Sequence, residues 1–523
     1  MGCRRSWSTG ALSGSNGRTE GFDFLSTPQG DREPMTIPGD GPSVSGIVAS
    51  CFNQAHSHPA MRILHLGTGS FHRAHQAAYL QHLINAGDTG WFLTAANLRP
   101  DMAEVEAALG AQGGSYTLET ISPAGQYEYQ LIHSIREVLP YEPSLAAVIA
   151  CGADPATRII SFTVTEAGYH LDAEGRLDFA SPGIQADLAS ARAGEAGATL
   201  YGATCAILRQ RRRAGAGPVT LLNCDNLRDN GRRFRNALLA FIACCDADGL
   251  GEWVAGHTSC PNSMVDRITP RPTPALRERV RIATGRLDAA AVTAESFSQW
   301  VVEDQFAAGR PDWQRVGVEL VPSVAPYEKA KMRILNASHS CLAWAGTLIG
   351  LQYIHEAVHV RAIQQMVFNY VTDDVIPCLN SDGPPGPLDL PAYRDQVLYR
   401  FSNASLRDTN ERVAADGFAK MTTFIAPTVH ERLAQGASIH SVAVLPALFL
   451  AFLQRWHQGT LPYVYKDQGM DEGAARAICM APDPVAALCA TPLLWGDLAG
   501  HAGLTDAVRD ASCRVQHFMA NCR

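Results

Sequence analysis

Met61-Arg62-Ile63-Leu64-His65-Leu66-Gly67-Thr68-Gly69-Ser70-Phe71-His72-Arg73 is the stretch that decides the fold. Arg62 to Leu66 is a short apolar run, read as a strand, and it ends in Gly67-Thr68-Gly69. From His72 to Ala86 the small and apolar residues Ala74, Ala77, Ala78 and Tyr79 fall mostly on one side, which predicts a helix stopped by Gly87. A Gly-x-Gly between a strand and a helix has a physical use. The first glycine permits a tight turn, and the second lets a pyrophosphate approach backbone N–H groups at a positive helix terminus. His72 stands at the third position of that fingerprint, where a glycine is usual, so on the motif alone a plain strand–helix turn remains open.

Outward from this point, Trp91 to Ala96, Ile159 to Val164 and Val219 to Leu222 read as further strands, with helical patterns between and after them. Strands alternating with helices predict a mostly parallel sheet covered on both faces. Beyond about Val321 strand-like runs give way to long apolar-periodic segments, Ala330 to Gln352, Val360 to Val371 and Val442 to Trp456, with a turn-rich stretch from Asn380 to Pro387. The reading is therefore an α/β Rossmann-type N-terminal domain followed by an all-α C-terminal domain. Residues 1–60 are expected to be an irregular, disordered leader, 61–320 the nucleotide-binding domain with extra β elements, and 321–523 a helical domain for substrate binding and catalysis. Met1-Gly2-Cys3-Arg4-Arg5-Ser6 fits a loose acylation pattern, read as a chance match; Met35 is a second plausible start.

Composition narrows the function classes. The 523 residues carry 43 Lys+Arg against 51 Asp+Glu, a net charge of -8 without basic excess, which argues against nucleic acid and anionic membranes as partners. Apolar content of 46% fits a chain with a large core, and no run approaches the roughly 20 apolar residues needed to cross a bilayer. The 14 cysteines include no Cys-x-x-Cys pair and suit a reducing compartment, the cytoplasm. His56 and His58 lie in the leader, and His72 and His75 have no acid or cysteine nearby in sequence, so no metal is expected.

The polar groups that carry chemistry sit in two kinds of place. Asn223-Cys224-Asp225-Asn226 and Thr163-Val164-Thr165-Glu166-Ala167-Gly168-Tyr169 follow strand ends, where open α/β sheets bind ligands. Asn97 and Asp101 follow the second strand: Asp101 favours NAD by accepting a ribose hydroxyl, whereas Arg99 between them could welcome a 2'-phosphate. Pro261 to Arg267 reads as a loop in which Asp266 and Arg267 could be only an ion pair. Lys331-Met332-Arg333-Ile334-Leu335-Asn336-Ala337-Ser338-His339 reads as one helix; at about 100° per residue Lys331, His339 and Asn336 fall near 0°, 80° and 140°, so the three polar heads are expected to share one face. A desolvated lysine can take a hydroxyl proton, and an amide can hold the alkoxide that results. A surface helix with a solvated lysine is the alternative on this segment alone.

Taken together, Gly67 to Gln76, Thr163 to Tyr169, Cys224-Asp225-Asn226, Pro261 to Thr269 and Lys331 to His339 resemble the long-chain polyol dehydrogenases of the mannitol dehydrogenase family. The matches run in order from about Arg62 to the C-terminus. Leu221 to Asn226, Ile334 to Cys341, Ala343 to Gly350 and Arg412 to Phe418 are most similar to the members that oxidise D-arabinitol to D-xylulose, with mannitol-oxidising members as the alternative. The resemblance implies an NAD-dependent oxidoreductase of carbohydrate metabolism acting on a CH–OH group of a linear polyol, or on the ketose in reverse, as a monomer or weak oligomer without metal. It implies Lys331 as general base, Asn226 and Asn336 as the oxyanion pair, His339 as a substrate-orienting group, Asp266, Arg412 and Lys420 as polyol-site residues, and Glu328 on a proton path. Gly67, Gly69, Ser70, Phe71, Arg73, Asn97, Arg99, Asp101 and Thr165 are the implied cofactor-binding positions. The chain departs from the family where Met102 takes the place of a second acid after Asp101, and in its leader. A hexuronate substrate, and a non-catalytic nucleotide-binding protein, are the remaining readings; the intact Lys331, Asn336 and His339 weigh against the latter.

Overall fold

The computed structural model describes residues 60–522 apart from 173, 246–248 and 382–387. The expected leader up to residue 59, with His56 and His58, lies outside the described residues, as does most of the turn-rich stretch after Ser381. Twelve strands are described: β1 Met61–Leu66, β2 Trp91–Ala96, β3 Tyr116–Ile121, β4 Tyr127–Ile132, β5 Ile135–Val138, β6 Thr157–Phe162, β7 Val219–Asn223, β8 Thr258–Ser259, β9 Ser263–Asp266, β10 Val292–Glu295, β11 Gln299–Glu303 and β12 Glu319–Val321.

Six of these form one sheet in the order β5-β2-β1-β6-β7-β8, and every neighbouring pair is parallel. The α/β class read from the alternation is what this sheet shows. Both faces of it are covered, as parallel strands require. Ile63, Leu93, Ile159 and Leu222 enter one hydrophobic cluster with the helix Gln76–Asn85 and Trp300. Leu64, Leu66, Ile160, Phe162 and Leu221 enter another with the helices Leu200–Ala214 and Asn230–Ala243. Successive residues thus feed opposite faces. The register pairs Leu66 with Ala96 on one side and with Phe162 on the other, and Phe162 with Asn223. The chain therefore leaves β1, β2, β6 and β7 along one edge, at the point where strand order reverses about β1 and β6.

Two three-stranded sheets, β10-β3-β4 and β12-β11-β9, flank this unit. They include a correction: Pro261 to Arg267, read as a loop, contains β9, antiparallel to β11 with Asp266 opposite Gln299. A second correction concerns the helix expected from His72 to Ala86. It is two helices, Ser70–Ala74 and Gln76–Asn85, broken where His75 takes φ -122° and ψ -89°. The break seats the His75 ring in the core, with Nε2 3.0 Å from Gln299 O and the ring against Phe71 and Trp300.

Beyond β12 the described elements are helical and share one large core from Ala330 to Phe518 that contains Trp344, Phe449 and Leu453. Lys331 lies in a continuous helical stretch, Ala325 to Leu348, but its middle, Lys331–Asn336, is a π-helical turn; Val371–Val375 and Met421–Ile425 are two more. Among the described residues no helix is long and apolar enough to cross a membrane.

Candidate active site

The loop after β1 is built to leave space above its backbone. Gly67 has φ +105°, which only glycine adopts without strain, and a Cβ there would stand 3.1 Å from Thr163 O. A Cβ on Gly69 would meet no heavy atom within 4 Å, so the room over this residue is left by the fold and filled by nothing in the chain. From beneath, the loop is pinned: Thr68 N and Oγ1 both donate to Asn97 Oδ1, at 3.0 and 2.7 Å, and Asn97 Nδ2 donates to Glu106 at 3.1 Å. Such a glycine cradle on the carboxyl edge of a parallel sheet fits a dinucleotide.

This geometry corrects two expectations about direct cofactor contact. The amide of Asn97 is used on Thr68 and Glu106, so it positions the loop. Arg73 is buried, with Nε donating to Thr68 O at 3.3 Å, NH1 donating to Ala290 O, and the guanidinium over the Tyr116 ring. It fastens the loop to the segment just before β10 from inside. Ser70 and Phe71 are half-buried in the short helix that follows, and Thr165 is exposed at the end of β6. Arg99 and Asp101 pair with each other at 3.0 Å, largely exposed, so each offset the other's charge at the place where a ribose would be read. The third fingerprint position is explained by His72: its ring stacks on His65 of β1 at 3.4 Å between centroids, filling the contact that a glycine would otherwise make by close approach.

The second half of the site faces this edge. Lys331 Nζ donates to Asn226 Oδ1 at 2.5 Å and to Val265 O at 2.6 Å, so the π-helical turn and the loop after β7 meet at one amine. Burial pushes the Lys331 amine below its ordinary value; the Asp266 carboxylate opposes that and the Arg400 guanidinium adds to it. Lys331, Asn226, Asn336 and His339 line one cleft of about 1060 Å³ together with Asp266, Arg412 and Lys420. The segment is not an α-helix throughout, so the wheel of 100° per residue does not apply. Hydrogen bonds of the i→i+5 type turn Lys331 and Asn336, five residues apart, closer to one face than an α-helix would. The turn is held by Tyr370, whose hydroxyl donates to Arg333 O at 3.0 Å, and by Arg333, which grips Glu431 with both terminal nitrogens.

Asp266 lines the cleft but is held from behind by Arg400, which corrects its expected partner, Arg267. Arg400 NH1 and NH2 reach its two oxygens at 2.7 and 3.0 Å, and Arg400 also donates to Glu295 at 3.0 and 2.7 Å. Burial pushes the Asp266 carboxyl up, but Arg400 and Lys331 hold it below the usual carboxylate range. Arg267 turns instead to the carbonyls of Glu295 and Ala74. Lys420 Nζ donates to Val413 O and Ala415 O, both at 2.5 Å, and burial lowers its amine to about 8.

Glu328, one turn before Lys331, is buried. Its Oε1 accepts from Asp229 N at 3.1 Å, its Oε2 has no partner, and burial raises the carboxyl to about 7. A cavity of about 30 Å³ joins it to Lys331, Asn226 and Asn336, room enough for a water molecule. Two polar groups at the site escaped the sequence reading. Arg400 sits on a helix beside exposed residues and gives no local sign of being buried. Asp408 joins His339, 3.1 Å from its Nε2, to Arg412, and its only signal is the acid–arginine spacing of four. Among the described residues, no group of three or more His, Cys, Asp or Glu is gathered as metal ligands.

Residues 61–315 match the family model of the mannitol dehydrogenase Rossmann domain, and residues 323–516 that of the mannitol dehydrogenase C-terminal domain. The chain is 56% identical to D-arabinitol 4-dehydrogenase of Ralstonia nicotianae, over 88% of this chain and 97% of that protein. It is 50% identical to D-arabinitol 4-dehydrogenase of Klebsiella pneumoniae, over 86% and 97%. The solved ternary complex of Pseudomonas fluorescens mannitol 2-dehydrogenase with NAD and D-mannitol is similar with a TM-score of 0.74 and 33% identity, over 88% of this chain and 94% of that one.

Proposed function

The chain belongs to the mannitol dehydrogenase family, and from that premise we propose that it oxidises D-arabinitol at C4 with NAD+ to give D-xylulose, with Lys331 as general base. The observation that carries the reading is the amine of Lys331 bonded to Asn226 Oδ1 and Val265 O inside the cleft. A neutral amine has two N–H groups. Both have acceptors here, so the lone pair is left to take the proton of a substrate hydroxyl. Burial favours that neutral form. Because Asn226 Oδ1 accepts from Lys331, its Nδ2 is free to donate to the developing alkoxide, and Asn336 on the π-helical turn supplies a second amide. His339, Arg412 and Lys420 hold the remaining hydroxyls. Asp266, anchored by Arg400, acts on the amine through its charge. Glu328 and the small cavity beside it supply an exit by which the proton taken up by Lys331 reaches solvent.

NAD, when bound, accepts the hydride; Gly67, Gly69, Ser70, Phe71, Thr165 and Asp101 are the residues that would hold it, with Asn97 and Arg73 shaping the loop. The Rossmann-type part is taken as 61–320 and the helical part as 321–523. Free thiols at every described cysteine favour a cytoplasmic enzyme, and the reading takes it as a monomer or weak oligomer acting on a small polyol, apart from nucleic acid and membrane. The test is an initial-rate comparison of D-arabinitol, D-mannitol, D-sorbitol and xylitol, each with NAD+ and with NADP+. The expected result is the highest kcat/KM for D-arabinitol with NAD+; a large preference for D-mannitol overturns the substrate assignment.

A further inference from the structure

Asp408 lines the same cleft as His339 and Arg412 but has no part in the proposed chemistry. It precedes the helix Asn410–Ala414, and its main chain is fixed, since Asp408 O accepts from Ile354 N at 2.9 Å. Its side chain is 12% exposed and both oxygens are engaged. Arg412 Nε donates to Oδ1 and Arg412 NH2 to Oδ2, each at 2.6 Å, and His339 Nε2 lies 3.1 Å from Oδ2, within ion-pair distance though not aligned as a hydrogen bond. The imidazole has little freedom: it packs on the Phe401 ring at 4.6 Å. Burial lowers its pKa, with Asp408 opposing, which favours the neutral ring.

A carboxylate only accepts, so a favourable contact at Nε2 needs a hydrogen on Nε2. A neutral imidazole carries one hydrogen, which leaves Nδ1 as a bare acceptor and as the nitrogen that can face the cleft His339 lines. Arg412 and Lys420 beside it can only donate. We propose that Asp408 is a positioning residue that fixes His339 as a hydrogen-bond acceptor toward the substrate, so that the oxygen facing His339 must belong to a free hydroxyl. A carbonyl, an ether or a fluorine at that carbon meets an acceptor with an acceptor and is rejected. The donors Arg412 and Lys420 tolerate any oxygen, so His339 becomes the group that tells a polyhydroxylated carbon from its oxidised or blocked counterpart.

The inference rests on the reading of the chain as a polyol dehydrogenase, and its test separates the two. Monodeoxy-monofluoro derivatives of D-arabinitol, altered at carbons other than C4, are compared with D-arabinitol on the unaltered enzyme. One position is expected to lose roughly 10- to 100-fold in kcat/KM, the range for an unpaired buried polar group. Asp408→Asn offers Nε2 an N–H and so favours the other tautomer. It is expected to raise the D-arabinitol KM roughly 10-fold or more, to change kcat far less, to leave NADH affinity unaltered, and to shrink the hydroxyl-to-fluorine ratio at the sensitive position toward one. Asp408→Glu is expected to recover part of the KM. A wild-type enzyme indifferent to fluorine at every tested position overturns the inference even if no variant folds. So does an Asp408→Asn enzyme whose KM, kcat and NADH affinity all decline in step, or whose fluorine discrimination persists. Absence of any D-arabinitol turnover by the unaltered enzyme refutes the functional reading, and the role of Asp408 with it.

Discussion

Replacing Lys331 with Met keeps an unbranched chain in the half-buried slot and removes the amine. Two losses follow from the geometry. The proton acceptor is gone, and general base catalysis of this kind contributes about 10²- to 10⁴-fold. Asn226 also loses the partner that orients it: its Oδ1 accepts from Lys331 at 2.5 Å, and with that bond absent the amide of this exposed residue is free to rotate. A misaligned oxyanion donor costs about 10²- to 10³-fold alone. The two groups act as one unit, so the losses overlap, and a combined decrease in kcat of about 10³- to 10⁵-fold is expected, equivalent to roughly 4–7 kcal/mol of transition-state stabilisation. The assay is NADH formation from D-arabinitol across pH 6 to 10, with NADH affinity measured separately by fluorescence. In the unaltered enzyme the oxidation rate should rise with pH through the lowered pKa of Lys331, because only the neutral amine accepts; the Met variant should lack that limb and keep its NADH affinity, while a separate Lys331→Ala variant should regain some rate with added methylamine. A variant within tenfold of the unaltered kcat, retaining the same pH limb, would remove the lysine from the mechanism.

Further outcomes are open to test. Gly69→Ala should leave thermal stability unchanged, since its Cβ meets nothing, yet weaken NADH binding, whereas Gly67→Ala should also cost about 1–3 kcal/mol of stability through its φ of +105° and the Thr163 carbonyl. Denaturant titration and NADH fluorescence separate the two, and equal stability losses would discredit the cradle. Glu328 is raised to about 7. A raised acid lends the fold stability that is complete below its unfolded value near 4.5 and is lost as pH climbs through about 7. Glu328→Gln should therefore be more stable than the parent at pH 8 by up to about 3 kcal/mol, with little difference at pH 4. It should also flatten the pH dependence of kcat near 7, and an unchanged profile would take Glu328 off the proton path. Arg400→Met leaves Asp266 and Glu295 buried without their cation, an expected loss of about 3–5 kcal/mol visible as a lower Tm. A neutral result there would mean both carboxyls take up protons at no cost.

What the sequence made legible was whatever repeats with a period or sits at a chain-determined place. β2 follows its apolar run to the residue and β1 begins one residue before its run, and the polar clusters at Asn223 to Asn226 and Thr163 to Tyr169 were singled out because a parallel sheet sends its ligand groups to strand carboxyl ends. Illegible were the features fixed by partners distant in the chain. Asn97 looks like a ribose reader until its amide is seen on Thr68 and Glu106. Asp266 and Arg267 look like a pair, yet Asp266 belongs to Arg400, 134 residues away, and Arg267 to backbone carbonyls. His75 fits a helix by composition, and only the packing of its ring against Phe71 and Trp300 reveals the break.

The π-helical turn at Lys331 joins these two levels. Nothing in Lys331 to Asn336 announces it, because a local widening of the helix carries no periodicity of its own, and its residues suit an α-helix equally well. The turn persists because neighbours satisfy what it exposes: Tyr370 donates to the carbonyl of Arg333, and the Arg333 side chain is clamped by Glu431. Its effect falls on the chemistry. In an α-helix the side chains of Lys331 and Asn336 would stand about 140° apart. Wound through i→i+5, the same two residues line the same cleft, next to Asn226. The proton acceptor and both amides are thereby assembled from one helix and one strand-end loop, and the tyrosine and glutamate that support the turn belong to the active site's construction although neither lines its cleft.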